Sequence, residues 1–275
     1  MAHLESPGDR GPAPAVHPRL IGVETRGSAR RSLSSAGIVA GLLLTWELLV
    51  RTGALPSFYF PPPTGVLRGL VELIRSGLLV DHGSATPYRI AVGLPLGGTL
   101  GLLAGVAMGR STPVRRVADP IVGALYPTPK LAILPLVMVF LGIGEASKLF
   151  IVAMAAFFPM LISTLSGVRQ IQPIYFEVAA NYGTRRINLL KRVILPASLP
   201  AVLAGLRIAL NSVIHVTIAV EIVSAVRGLG ALVWLSWEVL RVEQLYATLV
   251  VISLLGIAST WGLDRLTRRL IPWQR

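Results

Sequence analysis

The chain contains no cysteine and few charged residues. Without cysteine among its 275 residues, it has no disulfide framework, no thiolate metal site and no cysteine nucleophile. Charged residues make up only 14% of the sequence, whereas an ordinary soluble domain has about 25%. Hydrophobic residues make up 53%, and the mean hydropathy is +0.68. This composition argues against a soluble domain and favours an integral membrane protein.

The sequence also lacks the motifs of common enzyme sites. It has no GxxxxGK[ST] phosphate-binding loop, no GxGxxG, no HExxH and no GxSxG. The nearest approach to a phosphate-binding loop, GIGEASK at 142–148, lacks the glycine before the lysine. His3, His17, His82 and His215 are scattered without the spacing of metal ligands. We therefore expect no catalytic residue, no metal site and no cofactor bound by this chain.

The charge that is present is mostly positive. Lys and Arg number 26 and Asp and Glu 13, which gives a net charge of +13. A nucleic-acid-binding protein clusters its basic residues on one face, whereas a membrane protein places them in alternate loops. Here they concentrate in four segments, 1–31, 109–118, 169–192 and 264–275. This alternation predicts no nucleic-acid partner, and it places the four segments and both termini in the cytoplasm.

Apolar runs predict an all-α polytopic membrane protein with about six transmembrane helices. We place the spans at residues 33–50, 87–108, 119–141, 148–168, 201–222 and 245–263. Residues 1–32 are predicted to form a disordered cytoplasmic tail, because they are rich in proline, glycine and arginine and lack apolar periodicity. The first run could instead be a signal-peptide core, which leaves a five-span alternative. Glu47 within that run argues against cleavage.

Local patterns add four expectations about the spans and the segments between them. The stretch PPPTGVLRGLVELIRSG at 61–77 predicts an amphipathic helix at the outer surface, and residues 223–244 are expected to form an outer loop. Pro127, Pro129 and Pro135 predict broken backbone in the third span, which is tolerated only beside protein or a water-filled cavity. Small residues in the second span predict close approach of a neighbouring helix. These residues are Gly93, Gly97, Gly98, Gly101 and Gly105.

The longest polar interruption in the second half is PIYFEVAANYGTRRINLLKRVILPASLP, residues 173–200. It predicts two short helices, the first ended by Gly183 at positive φ and the second capped by Thr184 and stopped by Pro196. The apolar stripe of the second helix would be formed by Ile187, Leu190 and Ile194. Charge alone favours a solvated cytoplasmic loop over a surface that binds a partner.

The spacing within this segment resembles the cytoplasmic EAA loop of bacterial ABC importer permeases. That pattern has Glu-Ala-Ala, three residues and Gly. Further along it has a hydrophobic residue, then any residue or Leu, and then Pro. Its counterparts here are Glu177, Ala179, Gly183, Leu195 and Pro196. Val178 stands where the first alanine is usual. Other stretches, among them YPTPKLAILPLVMVFLGIGEASK and VEIVSAVRGLG, resemble the permease subfamily that serves aliphatic sulfonates, taurine and nitrate.

The resemblance implies a type I ABC importer permease fold for residues 33–275, with an ATPase-coupling loop at 169–200. It further implies three protein partners in the bacterial inner membrane: an ABC ATPase subunit, an extracytoplasmic substrate-binding protein and a second copy of the permease. ATP and Mg²⁺ would be used by the ATPase, so this chain would be a transport subunit and not an enzyme. The alternative is a membrane receptor or scaffold protein that docks another partner on the same segment.

Polar residues inside the predicted spans are candidates for the translocation pathway, because they are costly in lipid and face protein or water. They are Lys130, Asn211, His215 and Glu221. Lys130, a cation between two prolines, would attract a small anion, although it could equally reach back to the inner interface. For Glu221, and for Glu47, a hydrogen bond between helices is an equal alternative.

Overall fold

A computed structural model describes residues 28–224 and 226–270, with side chains from residue 37 onward. Within those ranges the chain is helical and contains no β-strand. The helices are α1 (Ser28–Arg51), α2 (Pro63–Arg75), α3 (Leu78–Arg110), α4 (Thr112–Leu125), α5 (Lys130–Leu141), α6 (Glu145–Arg169), α7 (Pro173–Asn181), α8 (Arg186–Leu189), α9 (Leu195–Ser224), α10 (Leu229–Glu238) and α11 (Val242–Leu270). A π-helical segment, Leu190–Ile194, joins α8 to α9. The chain divides into two units, Met1–Trp46 and Glu47–Arg275.

Four stretches of the described chain are long and apolar enough to cross a membrane. They are α3, α6, the continuous stretch Arg186–Ser224 and α11. The pair α4 and α5 makes a fifth if it is one broken span. These correspond to the second through sixth predicted spans, with longer ends. Residues 1–27 of the predicted tail lie outside the described residues. Helix α1 begins at Ser28, before the predicted start of the first span at residue 33. Retention of that first span stays a prediction.

Glycines at every fourth position of α3 bring it into backbone contact with α6. A Cβ added at Gly97 would lie 2.6 Å from the carbonyl carbon of Ala153, and one at Gly105 would lie 2.6 Å from the carbonyl oxygen of Leu161. The predicted close approach is therefore confirmed. We call the line of contact the glycine seam, and its α3 members are Gly93, Gly97, Gly101 and Gly105. Gly98 lies outside the seam, because an added Cβ would only touch Met160 Cγ at 3.7 Å.

The third predicted span is broken where two of its prolines lie. Helix α4 ends at Leu125, α5 begins at Lys130, and their axes differ by 102°. Pro129 has extended backbone (φ −67°, ψ 109°) and precedes the first turn of α5, as a proline can. The break predicted from Pro127 and Pro129 is confirmed. Pro135 lies inside α5 and does not end it.

The amphipathic helix predicted at 61–77 is confirmed as α2, but its buried side differs from the expected apolar face. Gly65, Gly69 and Leu73 are buried, whereas Leu67 and Ile74 are more than half exposed. A Cβ on Gly69 would lie 2.8 Å from the carbonyl oxygen of Glu243 in α11. The two glycines therefore decide which side faces α11, because only they allow its backbone so close.

The connection expected at 223–244 contains helix α10, which was not predicted from the sequence, and its placement on the outer side stays a prediction. Leu229 and Leu232 are almost fully buried, and Ser236 donates a hydrogen bond to the carbonyl of Leu232. Gly228, at φ +136°, turns the chain from α9 into α10. The apolar run LGALVWL was long enough for a short helix and packs against the ends of α3, α9 and α11.

The glycine seam predicts opposite effects for two adjacent substitutions. Gly97→Ala should destabilise the protein by about 1–3 kcal/mol, because its methyl group overlaps the Ala153 backbone. Gly98→Ala should be neutral or stabilise it by up to about 1 kcal/mol, because alanine favours helix and the site has room. Thermal unfolding of the two purified variants in detergent measures the difference. Equal melting temperatures would contradict the close contact.

Candidate functional site

The first helix of the predicted coupling loop ends as the sequence indicates. Gly183 has φ +61°, and the Thr184 N–H donates to the carbonyl of Ala179 at 3.0 Å, which closes the end of α7. The predicted cap of the second helix was wrong. Arg185 precedes α8, and among the described contacts of that turn no side chain caps the helix. The arginine backbone is extended there and starts the helix without help from Thr184.

Pro196 does not stop the second helix, contrary to prediction. Residues 186–224 form one continuous helical stretch, in which Leu190–Ile194 adopts the wider π-helical turn. Pro196 directly follows this π-helical turn, whose altered hydrogen bonding accommodates a proline within the stretch. The predicted coupling loop is therefore joined to α9 without a break.

A small apolar cluster holds the loop against the ends of the spans. Val168, Ile171 and Ile194 are buried together, with Phe176 and Leu190 packed against them. Ile187, which was predicted to share this stripe, is instead 66% exposed, because α8 begins only at Arg186 and turns that side chain outward. Of the motif residues, Ala179 is buried and Leu195 is half-buried, whereas Glu177, Gly183 and Pro196 are exposed.

The solvent-exposed side of α7 and α8 carries large apolar and aromatic side chains, together with basic residues. Tyr182 is 85% exposed and Val178 46%. Exposed apolar groups in one patch are typical of protein interfaces. We call this patch the docking face; it comprises Ile174, Tyr175, Glu177, Val178, Tyr182 and Ile187. The exposed basic residues beside it are Arg185, Arg186, Lys191 and Arg192.

Three of the four predicted pathway residues line one cavity of about 590 Å³. Lys130 enters from the start of α5, and Asn211 and His215 enter from α9. The Lys130 ammonium donates to the carbonyl of Tyr126 at 2.7 Å and lies 5.1 Å from the centre of the Tyr126 ring. The break between α4 and α5 therefore exposes a carbonyl that orients this cation. Other lining residues are Pro127, Ala155, Pro159, Ile208, Ser212 and Val216.

Glu221 lies away from this cavity, in a buried charge cluster. Its carboxylate accepts hydrogen bonds from Arg89 Nη1 at 2.6 Å, from Thr86 Oγ1 at 2.9 Å and from the Gly230 N–H at 2.9 Å. The alternative of a hydrogen bond between helices is therefore confirmed for Glu221. It is also confirmed for Glu47, which accepts a bond from Thr64 Oγ1 at 2.8 Å.

Arg89 is the centre of the cluster, and sequence reasoning did not identify it. Its guanidinium donates twice to Glu145, at 2.6 and 2.8 Å, and once to the carbonyl of Arg227 at 2.8 Å, in addition to the bond with Glu221. Only 1% of the residue is exposed. An arginine just inside an apolar run was the available signal, because such a residue requires a partner. We call Arg89, Glu145 and Glu221 the charge cluster; it joins α3, α6 and α9.

Comparison with known proteins gives a consistent result across most of the chain. The family described as binding-protein-dependent transport system inner membrane component matches residues 97–273. The taurine transport system permease protein TauC of Escherichia coli is 35% identical over 89% of this chain and 91% of its own length. The putative aliphatic sulfonates transport permease protein SsuC of Escherichia coli is 34% identical over 85% of this chain and 89% of its own length. The protein of the same name from Bacillus subtilis is 30% identical over 86% of this chain and 88% of its own length.

The charge cluster predicts a large loss of stability when one partner is removed. Arg89→Ala leaves the Glu221 carboxylate buried and unpaired, which should cost about 3–5 kcal/mol and lower the melting temperature by about 10 °C. Arg115→Ala is the matched control, because it removes an exposed pair with Asp119 that is worth at most about 1 kcal/mol. Melting in detergent compares the two. A similar loss in both variants would refute the role given to Arg89.

Proposed function

The chain belongs to the family of binding-protein-dependent transport system inner membrane components, and from this premise we propose that it imports taurine or another small alkanesulfonate. It is a permease subunit of an ABC importer, in which ATP hydrolysis takes place on a separate ATPase subunit. The proposed cargo is supported by the names of the relatives in Escherichia coli and Bacillus subtilis. Nitrate, which none of those three names mentions, stays a prediction.

The observation that carries the coupling mechanism is the unbroken helical stretch from residue 186 to residue 224. One end of it bears Ile187 of the docking face, and its middle bears Asn211 and His215 at the cavity. Closure of the ATPase subunits on ATP would move the docking face, and a continuous helix transmits such a movement without a hinge. The docking face and the cavity would thus be linked through one helix.

The docking face is the proposed seat of the ATPase. Glu177 would pair with a basic group on the ATPase, and Tyr182 would fill an apolar pocket, since buried aromatic anchors dominate interface energies. The bulk of Val178, the one departure from the family pattern, lies on the exposed side of α7 and meets the partner rather than the protein's own core. ATP and Mg²⁺ are proposed to bind on the ATPase alone.

The proposed pathway comprises Lys130, Asn211 and His215. Lys130 supplies positive charge, and the two α9 side chains supply polar groups across the same cavity. Glu221 is left out, because its carboxylate is fully buried and bonded within the charge cluster. The pathway is completed by a second copy of the chain in a homodimer, and an extracytoplasmic binding protein delivers the sulfonate to the opposite side of the membrane from the docking face.

Substitutions on the docking face test the proposed function. Glu177→Lys and Tyr182→Ala should each weaken association with the ATPase by about tenfold or more, because each removes a central contact. Glu238→Lys makes the same charge reversal on an exposed residue of α10 and should leave association unchanged. Val178→Ala, which restores the family pattern within the docking face, should also retain it. Co-purification of the ATPase with each tagged variant measures the effect.

Association that persists in both Glu177→Lys and Tyr182→Ala would contradict the coupling role of residues 173–200. Such a result would favour a receptor or scaffold whose partner binds elsewhere. A folded variant is required for this conclusion, and a single symmetrical peak in gel filtration verifies it.

The orientation of the chain can be tested by cysteine labelling, since the natural sequence has no cysteine. Arg186→Cys lies in the proposed cytoplasmic loop, and Arg227→Cys lies at the other end of α9; both positions are exposed. In intact cells a membrane-impermeant maleimide should label Arg227→Cys and spare Arg186→Cys. The reverse pattern would overturn the assignment of the docking face, and of both termini, to the cytoplasm.

A further inference from the structure

A second cavity lies between α9 and α11, on the other side of Asn211 and His215 from the Lys130 cavity. Its volume is about 600 Å³, and it shares those two residues with the first cavity. At one edge Asp264 of α11 pairs with Arg207 of α9. On the premise of the proposed function, we infer that this cavity is a station for a zwitterionic aminoalkanesulfonate, with the sulfonate on Arg207 and the ammonium on Asp264.

The polar residues of α9 form a stripe that the chain itself leaves uncovered. Arg207, Asn211 and His215 recur every fourth residue, so they lie on one face of the helix, and all three are exposed. Charged and amide groups on a lipid-facing surface of a span are costly, and they normally line water-filled paths or interfaces. Within the proposed function this stripe belongs to the water-filled pathway, which it extends from the Lys130 cavity toward Asp264, at the end of α11 that is predicted to face the cytoplasm.

The exposure of the Arg207–Asp264 pair separates it from the structural ion pairs. The Arg207 side chain is 56% exposed and that of Asp264 is 35% exposed, whereas Arg89 and Glu221 are 2% and 0% exposed. An incoming solute can therefore reach both partners of the first pair and neither partner of the second. Arg207 also has the planar fork of donors that suits a sulfonate, as it suits a carboxylate.

Charge balance favours a zwitterion over a simple anion at this pair. An alkanesulfonate that took Arg207 from Asp264 would leave the carboxylate, which is 35% exposed, without this counter-ion, a modest but unfavourable loss. An aminoalkanesulfonate replaces one ion pair by two, sulfonate on Arg207 and ammonium on Asp264. Both protein charges then keep a partner throughout the exchange.

The walls of the cavity suit the ammonium end as well. Thr260, one turn before Asp264 on α11, places a hydroxyl oxygen there that can accept from an ammonium, whereas the Trp261 ring already carries the Arg265 guanidinium, 4.3 Å from its centre.

Binding measurements on the purified permease–ATPase complex test this inference with two ligands of the same shape. Taurine carries both charges, and 1-propanesulfonate replaces its ammonium by a methyl group. Asp264→Asn should weaken taurine binding by about tenfold and leave 1-propanesulfonate binding unchanged or tighter, because Arg207 loses its competitor. Arg207→Gln should weaken both ligands by about tenfold, and Arg207→Lys less. Arg268→Gln, on an exposed turn of α11, is the matched control and should change neither.

Equal losses of both ligands in Asp264→Asn would overturn the inference and make the pair a structural one. It would also be overturned if the wild-type complex bound neither ligand while the complete importer still accumulated taurine with ATP. That second result would leave the proposed function standing. Absence of both binding and uptake for the two sulfonates would instead remove the proposed cargo and the inference together. If Arg207→Gln does not fold, the comparison of Asp264→Asn with wild type decides.

Discussion

A guanidinium buried among apolar helices must have its charge neutralised and its hydrogen bonds satisfied, and the core of this protein depends on how that is done for Arg89. The carboxylates that neutralise it come from α6 and α9, so one side chain of α3 fixes three spans at the same end. The glycine seam then brings α3 and α6 together along most of their lengths. The result is a rigid centre in which α6 is the most buried span and α11 the least.

The positions of the two cavities and of the docking face follow from this packing. Because α3 and α6 occupy one side of α9, the polar stripe of α9 is left toward α5 and α11, where both cavities open. The same helix continues through a π-helical turn into the docking face. One helix thus joins the fixed core to the docking face. Arg207, Asn211 and His215, which are proposed to line the sulfonate pathway, lie on that helix, where movement of the docking face would reach them.

The sequence allowed the fold class and the local features to be predicted where the signal is local. The glycines spaced every four residues from Gly93 to Gly105 indicated backbone contact, and Gly183 indicated the end of α7. The helix end predicted at Pro196 failed for a local reason, because the π-helical turn at Leu190–Ile194 lets the helix continue through the proline. The sequence was least informative where partners distant in sequence decide. For Glu221 the sequence leaves a pathway role and a hydrogen bond between helices equally open, because its partner Arg89, 132 residues away, cannot be recognised without the fold. Arg207 and Asp264 were missed for the same reason.

Uptake into sealed proteoliposomes measures ATP-driven sulfonate import through this chain. The permease would be reconstituted with its ATPase facing the vesicle interior, ATP and Mg²⁺ would be enclosed, and labelled taurine and the binding protein would be added outside. We expect taurine to accumulate inside above its external concentration, dependent on ATP and on the binding protein. ATP hydrolysis by the assembled complex without accumulation of taurine or any alkanesulfonate would contradict it.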